Sequence, residues 1–228
     1  MKNITNISKT FLSTLETYRS AYDELLLSIY HKRNEESLKG MLSKQITFSI
    51  LSLWEAFLSD ILIAHIVDCS GVACSSFKER MQKSITDKFG KDALRYISID
   101  FPKKLTWQKA YSLIDPKGWN ISTNSAEKLT EKANMLLPAK HAKKFSLDAG
   151  DSEFFDYVRC LRHYLAHGSS SSKTELFNSA INLDEKVNAS FKSPIGNISS
   201  YLKYCDASGK TRASHIVDRI EVIAKKIL

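Results

Sequence analysis

The segment 158–168 reads VRCLRHYLAHG and carries two arginines and two histidines: Arg159, Arg162, His163 and His167. A histidine titrates near neutral pH, so it can accept a proton from a ribose 2′-hydroxyl or donate one to a leaving oxygen. A guanidinium stays charged and can hold phosphate oxygens while negative charge builds up in a transition state. RNA supplies its own nucleophile, the 2′-hydroxyl, so cleavage by these groups needs no metal ion. These residue types therefore indicate phosphoryl transfer on RNA without a cofactor.

The spacing places the four side chains near the end of one amphipathic helix. A step of four residues drifts only about 40° around an α-helix, so Arg159, His163 and His167 form one ridge. Arg162 lies about 140° from His167 around the same axis. The two therefore meet only if the long arginine side chain wraps the helix or a partner surface brings them together. The helix dipole also favours a protonated imidazole at this end, which suits contact with phosphate.

Two other interpretations of the cluster stay open. The cations can simply satisfy the dipole and the free carbonyls of the last turn, with one histidine packed into the core. Alternatively, His163 and His167 have the spacing of two metal ligands on one helical face. Tyr164, however, occupies the place of the glutamate in an H-E-x-x-H motif. A third ligand would have to come from elsewhere in the chain: His65, His141 or Asp151. We expect no bound metal.

The rest of the chain predicts an all-α protein. Its 228 residues include only eight glycines and four prolines, too few for the frequent turns of a β-sandwich or barrel. Apolar residues recur at helical spacing from Phe11 to Ile29, and the pattern predicts a long second helix from about 36 to 68. Further helices are predicted at 76–89, 106–114, 124–137, from 154 to a stop at Gly168, at 175–191 and at 212–228, with a polar loop at 169–172. We expect one helical domain over residues 1–228, with a less regular insertion from about 70 to 150.

The most apolar stretch, residues 46–66, has the length of a membrane span. Glu55, Asp60 and His65 lie within it, and charges in mid-span are costly in lipid. We therefore expect this stretch to be the buried helix of a soluble bundle that contacts no membrane. The N-terminus shows no secretory signal pattern, so we expect a cytoplasmic protein.

Positive charge is concentrated in the insertion. Residues 78–144 contain 15 Lys and Arg against seven Asp and Glu, so this stretch carries the whole net charge of +8. Such an excess suits the backbone of RNA, although an ordinary solvated helix face has a similar composition. Trp107, Tyr111 and Trp119 lie in the same stretch and are of a type that stacks on bases or fills a core. The basic residues singled out for RNA binding are Lys103, Lys104, Lys143, Lys144 and Arg159.

The stretch 162–168, RHYLAHG, resembles the R-x4–6-H signature of HEPN domains, including the Ala-His-Gly ending of the prokaryotic branch. The stretch 53–57, LWEAF, is similar to the second helix of that fold, where an acidic residue often lies near the active centre. The resemblance covers this second helix and residues 151–182, and it leaves the insertion unmatched. It implies an up-and-down helical bundle, and in many members a metal-independent endoribonuclease that acts as a toxin, in antiviral defence or in RNA processing.

The resemblance also implies a role for each matched residue. Arg162 would stabilise the charge of the transition state, His167 would be the acid or base, and His163 would orient or assist. Glu55 would pair with Arg162 or hold a histidine tautomer, unless it is a plain surface carboxylate. The family commonly forms a symmetric homodimer whose cleft combines both Arg/His pairs, and an antitoxin or sensor protein can restrain it. The alternative is a non-catalytic member that binds nucleic acid, a nucleotide or a protein partner.

Overall fold

A computed structural model describes residues 3–114, 125–180, 183 and 197–228. The described segments form helices joined by turns, with one isolated antiparallel bridge between Cys205 and Thr211, and the all-α prediction is confirmed. The helices are α1 (Ile4–Ile29), α2 (Glu35–Asp68), α3 (Ser70–Phe89), α4 (Trp107–Ile114), α5 (Ala126–Leu136), α6 (Ala139–Ala142), α7 (Ala149–His167), α8 (Ser170–Ala180), α9 (Ile198–Lys203) and α10 (Arg212–Ile227). Two short 3₁₀ segments, Lys91–Arg95 and Lys143–Phe145, follow α3 and α6.

The second helix is the central element of the bundle. Helices α1, α7, α9 and α10 pack against it, and its middle is buried almost all round from Ile50 to Ile66. Phe11 of α1 stacks on Phe57 of α2, with 4.1 Å between ring centroids, and Trp54 lies against the same pair. By length and composition α2 is the one described helix that is apolar enough to cross a membrane, but 67% of its most apolar window is buried inside the fold.

Local sequence signals explain both ends of α7, the helix that carries the arginine and histidine cluster. At its start Asp148 accepts a hydrogen bond from the Asp151 amide at 2.8 Å, which satisfies one of the free N–H groups of the first turn. At its end Gly168 adopts a left-handed conformation with φ 62°, and its N–H donates to the Tyr164 carbonyl at 2.8 Å. The predicted stop at Gly168 is therefore confirmed.

Three predicted boundaries were wrong or fall in part outside the described residues. The polar loop at 169–172 is instead the start of α8, because the Ser169 hydroxyl accepts from the Ser172 amide at 3.1 Å and caps the helix. Helix α3 begins at Ser70, six residues before the predicted start, so Gly71 lies in its first turn. Ser125 caps α5, while residue 124 and the later part of the helix predicted at 175–191 lie outside the described residues.

Within the segment from 70 to 150, some of the described parts are buried in the core and others are not. Ser70, Ala73 and Cys74 of α3 are buried, and α4 and α5 contribute apolar side chains to the same hydrophobic cluster as α2 and α7. Asp156 of α7 accepts from the Ala126 amide at 3.0 Å, which fixes the start of α5 against α7. In contrast, no residue from 75 to 100 is buried. Residues 75–100 thus extend from the bundle, and the described residues between 101 and 150 are integrated into it.

Candidate functional site

The guanidinium of Arg162 on α7 meets the carboxylate of Glu55 on α2. The Nε atom of Arg162 lies 3.2 Å from Oε2 of Glu55, and each side chain is 35% exposed. Nε makes no hydrogen bond, so the contact is a charge–charge pair. Within the described part of the chain the two terminal nitrogens of Arg162 have no partner, and they remain available to an incoming anion. Of the three sequence alternatives for Glu55, the structure shows the pairing with Arg162.

A narrow groove between α2 and α7 contains this ion pair. Its apolar lining consists of Leu51, Trp54, Leu58, Phe155 and Val158, and Arg159 lies beside Arg162 at its edge. The volume open to the centre of a water molecule is about 20 Å³, enough for roughly one water. The groove therefore fits a phosphate oxygen or a solvent molecule at its mouth, and a base would have to lie outside it.

Burial controls the charge of Glu55. Removal from water raises the pKa of its carboxyl, and the nearby Arg162 and Arg159 guanidiniums partly oppose that rise. Arg159 itself is half-buried, and its Nη2 donates a long hydrogen bond of 3.4 Å to the sulfur of Cys160. The groove thus holds two guanidiniums and one poorly hydrated carboxylate, so the site carries an excess of positive charge.

The two histidines pair with each other and not with Arg162. The ring centroids of His163 and His167 lie 4.7 Å apart, with the planes tilted by 55°, as expected for neighbours on one helical ridge. His163 is half-buried and His167 is exposed in the last turn of α7. Among the described residues no hydrogen bond or ion pair joins Arg162 to His167. In one chain the arginines and the histidines therefore form two separate groups on the same helix.

The residues considered as a third metal ligand serve the core of the fold. His65 is 1% exposed, with its ring 5.1 Å from that of His141. Asp151 is fully buried and pairs with Arg219 at 2.7 Å and with Lys226, so it ties the start of α7 to α10. In the described ranges, no three His, Cys, Asp or Glu side chains lie close enough to share a metal ion.

The lysines chosen from sequence differ in their surroundings. Lys103, Lys104 and Lys143 are exposed, whereas Lys144 is half-buried and donates to the carbonyl of Leu228. Lys144 thus has a structural partner within the chain.

The aromatic residues of the insertion lie mostly in packing positions. Trp107 and Tyr111 are half-buried against the core, and Trp119 lies outside the described residues. Residue-by-residue reasoning missed the exposed basic face of α3, formed by Arg80, Lys83 and Lys88. Its signal was present as cations at positions i, i+3 and i+8, which fall within an arc of about 140° around the helix.

A scan against protein-family models and searches of curated proteins and of solved structures find no match to this chain. The resemblance of α2 and α7 to HEPN domains therefore stays a prediction from their motif residues.

Proposed function

We propose that this chain is a metal-independent endoribonuclease of the HEPN type. The observation that carries the proposal is the pair of Arg162 with Glu55 in a groove that Arg159 also lines, with His163 and His167 at the end of the helix that carries both arginines. This set combines permanent positive charge for a phosphate with imidazoles, the side chains that most often act as general acid and base. The excess of cations in residues 78–144 supports RNA as the substrate class.

Each group has a defined task in the proposed reaction. His167 takes the proton from the ribose 2′-hydroxyl, and the 2′-oxygen forms a bond to the adjacent phosphorus. The bond from phosphorus to the 5′-oxygen breaks, and a protonated imidazole returns a proton to that oxygen. The products are a 2′,3′-cyclic phosphate and a 5′-hydroxyl. Arg162 binds the non-bridging oxygens as their charge grows, and Glu55 orients Arg162 before the RNA arrives.

The arrangement in one chain favours an active centre built from two chains. Arg162 and His167 lie about 140° apart on α7, so a symmetric homodimer would bring His167 of the partner subunit to Arg162. We propose such a homodimer, acting in the cytoplasm as a toxin or defence effector under the control of an antitoxin or sensor protein.

The first experiment incubates single-stranded RNA with the protein in the presence of EDTA. We expect cleavage that gives a 2′,3′-cyclic phosphate, detected by mass spectrometry as one water lighter than the linear monophosphate. Arg162→Ala and His167→Ala should each lower the rate by about 10²- to 10⁴-fold, the usual range for loss of an acid–base group. Arg33→Ala and His31→Asn, at exposed positions between α1 and α2, are matched controls that should cleave at the wild-type rate.

Each other outcome overturns a specific part of the proposal. Unchanged cleavage by His167→Ala would dismiss the assigned acid–base group. Cleavage that EDTA abolishes would favour the metal alternative, and RNA binding without any product would favour the non-catalytic one.

A complementation experiment tests the shared active centre. In a mixture of the two inactive variants, a heterodimer unites the intact Arg162 of one chain with the intact His167 of the other. Random pairing should restore about a quarter of the wild-type activity, because half of the dimers then hold one good site of two. No recovery after subunit exchange would place both groups of each active centre in one chain.

A further inference from the structure

The outer part of α3 and the turn that follows it project from the bundle. We call residues 78–96 the α3 arm; it contains the end of α3, the 3₁₀ segment Lys91–Arg95 and Tyr96. Helix α3 buries only Ser70, Ala73 and Cys74, all in its first turns. From residue 75 to 89 it runs for about 22 Å with no buried side chain. A helical segment that packs so little against its own fold is available to a partner.

The α3 arm carries four lysines that no acidic side chain of the described residues neutralises. It has six Lys and Arg against three Asp and Glu. Within the described residues, no ion pair involves its four lysines, which are Lys78, Lys83, Lys88 and Lys91. On the bundle, by contrast, Lys39, Lys203 and Lys226 each pair with an acidic side chain. The charges of these four lysines are therefore available to an anionic partner.

These charges also have a shape that fits a polyanion. Arg80, Lys83, Ser84, Asp87 and Lys88 line one open, shallow concavity of about 550 Å³ on α3. Three of its five lining residues are cations and one, Asp87, is a carboxylate, so the concavity carries a net positive charge.

Two aromatic side chains lie at the far end of the same arm. Phe89 is 65% exposed and Tyr96 is 87% exposed, so both rings are accessible to a partner. The Nζ atom of Lys88 lies 5.4 Å from the centroid of the Phe89 ring, so a cation and a stacking surface are side by side. Basic side chains that follow a backbone, together with aromatic rings that stack on bases, are the usual means of binding single-stranded nucleic acid.

We propose that the α3 arm binds single-stranded RNA, with the lysines on phosphates and Phe89 and Tyr96 stacked on bases. This inference rests on the proposed function, since it takes RNA to be the substrate, and it assigns substrate capture to a surface separate from the Arg162 groove. Unpaired cations next to exposed rings favour RNA over a protein partner, because a protein interface tends to exclude lysine from its centre.

The test measures binding of a fluorescein-labelled 30-nucleotide single-stranded RNA of mixed sequence by fluorescence anisotropy. The His167→Ala background prevents cleavage during the measurement. Replacing all four lysines of the arm by Gln should weaken binding and lower the salt dependence, d log K/d log[salt], by about 2 to 3, at roughly 0.7 per lost phosphate contact. Phe89→Ala with Tyr96→Ala should weaken binding roughly tenfold with the salt dependence unchanged. Lys32→Gln with Arg33→Gln, two exposed cations outside the arm, should change the affinity less than twofold.

The outcomes separate this inference from the nuclease proposal. Arm variants that bind RNA as tightly as their parent overturn the role of the arm, whether or not the wild type cleaves RNA. A wild type that binds RNA through the arm and cleaves none overturns the nuclease proposal alone. Arm variants that change the oligomeric mass in light scattering, with RNA affinity intact, assign the arm to a protein contact and also overturn the inference.

Discussion

Acid should destabilise this fold through one buried histidine, His65. Its ring lies on α2 against His141 and Phe145, and within the described residues neither of its ring nitrogens has a hydrogen-bond partner. Burial lowers the pKa of His65 from its ordinary value of 6.5 to about 4, and the neighbouring His141 and Lys144 add to the effect. The folded state therefore keeps this imidazole neutral over a pH range in which the unfolded chain protonates it.

The size and sign of the effect follow from linkage between protonation and folding. Between pH 6.5 and 4 the unfolded state binds more protons at this site than the folded state does. The free energy of unfolding is therefore unaffected by His65 above pH 6.5 and decreases as the pH drops below it. With the two pKa values given, the loss from His65 alone is about 2 kcal/mol at pH 5 and about 3 kcal/mol at pH 4.

Urea denaturation followed by circular dichroism at several pH values between 7.5 and 4 measures this loss. His65→Leu removes the titrating group and two unpaired buried nitrogens, so it should be at least as stable as the wild type at pH 7.5. Between pH 7.5 and 5 its free energy of unfolding should decrease by about 2 kcal/mol less than that of the wild type. His31→Asn, at an exposed position with φ 64° that Asn adopts readily, should follow the wild-type curve. Parallel curves for His65→Leu and the wild type would refute the reasoning.

Two further predictions concern the packing of helices that support α7 and α2. Asp151→Ala removes a fully buried carboxylate that pairs with Arg219 at 2.7 Å, and it should lower the free energy of unfolding by about 3 kcal/mol in urea denaturation; a loss below about 1 kcal/mol would mean that the pair contributes little. Gly40→Ala would place a Cβ atom 2.9 Å from the Cβ of Ser199, so it should cost about 1 to 3 kcal/mol despite the better helix propensity of Ala. At Gly71 nothing lies within 4 Å of an added Cβ atom, so Gly71→Ala should instead stabilise the fold by about 0.5 kcal/mol. If thermal unfolding shows that Gly40→Ala and Gly71→Ala change the stability in the same direction, the short distance to Ser199 does not control the effect.

Much of the helix pattern was predictable because its signals are local. The side chain of Asp148 and the conformational freedom of Gly168 act within a few residues, so the region of α7 could be placed from sequence alone. The segment 169–172 shows the limit of this approach. Serines favour turns by propensity, but Ser169 caps α8, and burial of Ser172 and Leu176 against the bundle stabilises a helix there.

In the candidate site, too, some features follow from local sequence and others depend on how the helices pack. Helix periodicity alone makes His163 and His167 neighbours, because residues four apart lie on one helical face, and the composition places the excess charge between 78 and 144. How the helices pack, in contrast, brings Arg162 to Glu55 and leaves the four lysines of the α3 arm without an ion pair among the described residues. Those contacts depend on how α2 packs against α7 and where α3 leaves the core. This packing depends on many apolar contacts between residues far apart in the chain, which a local sequence pattern cannot predict.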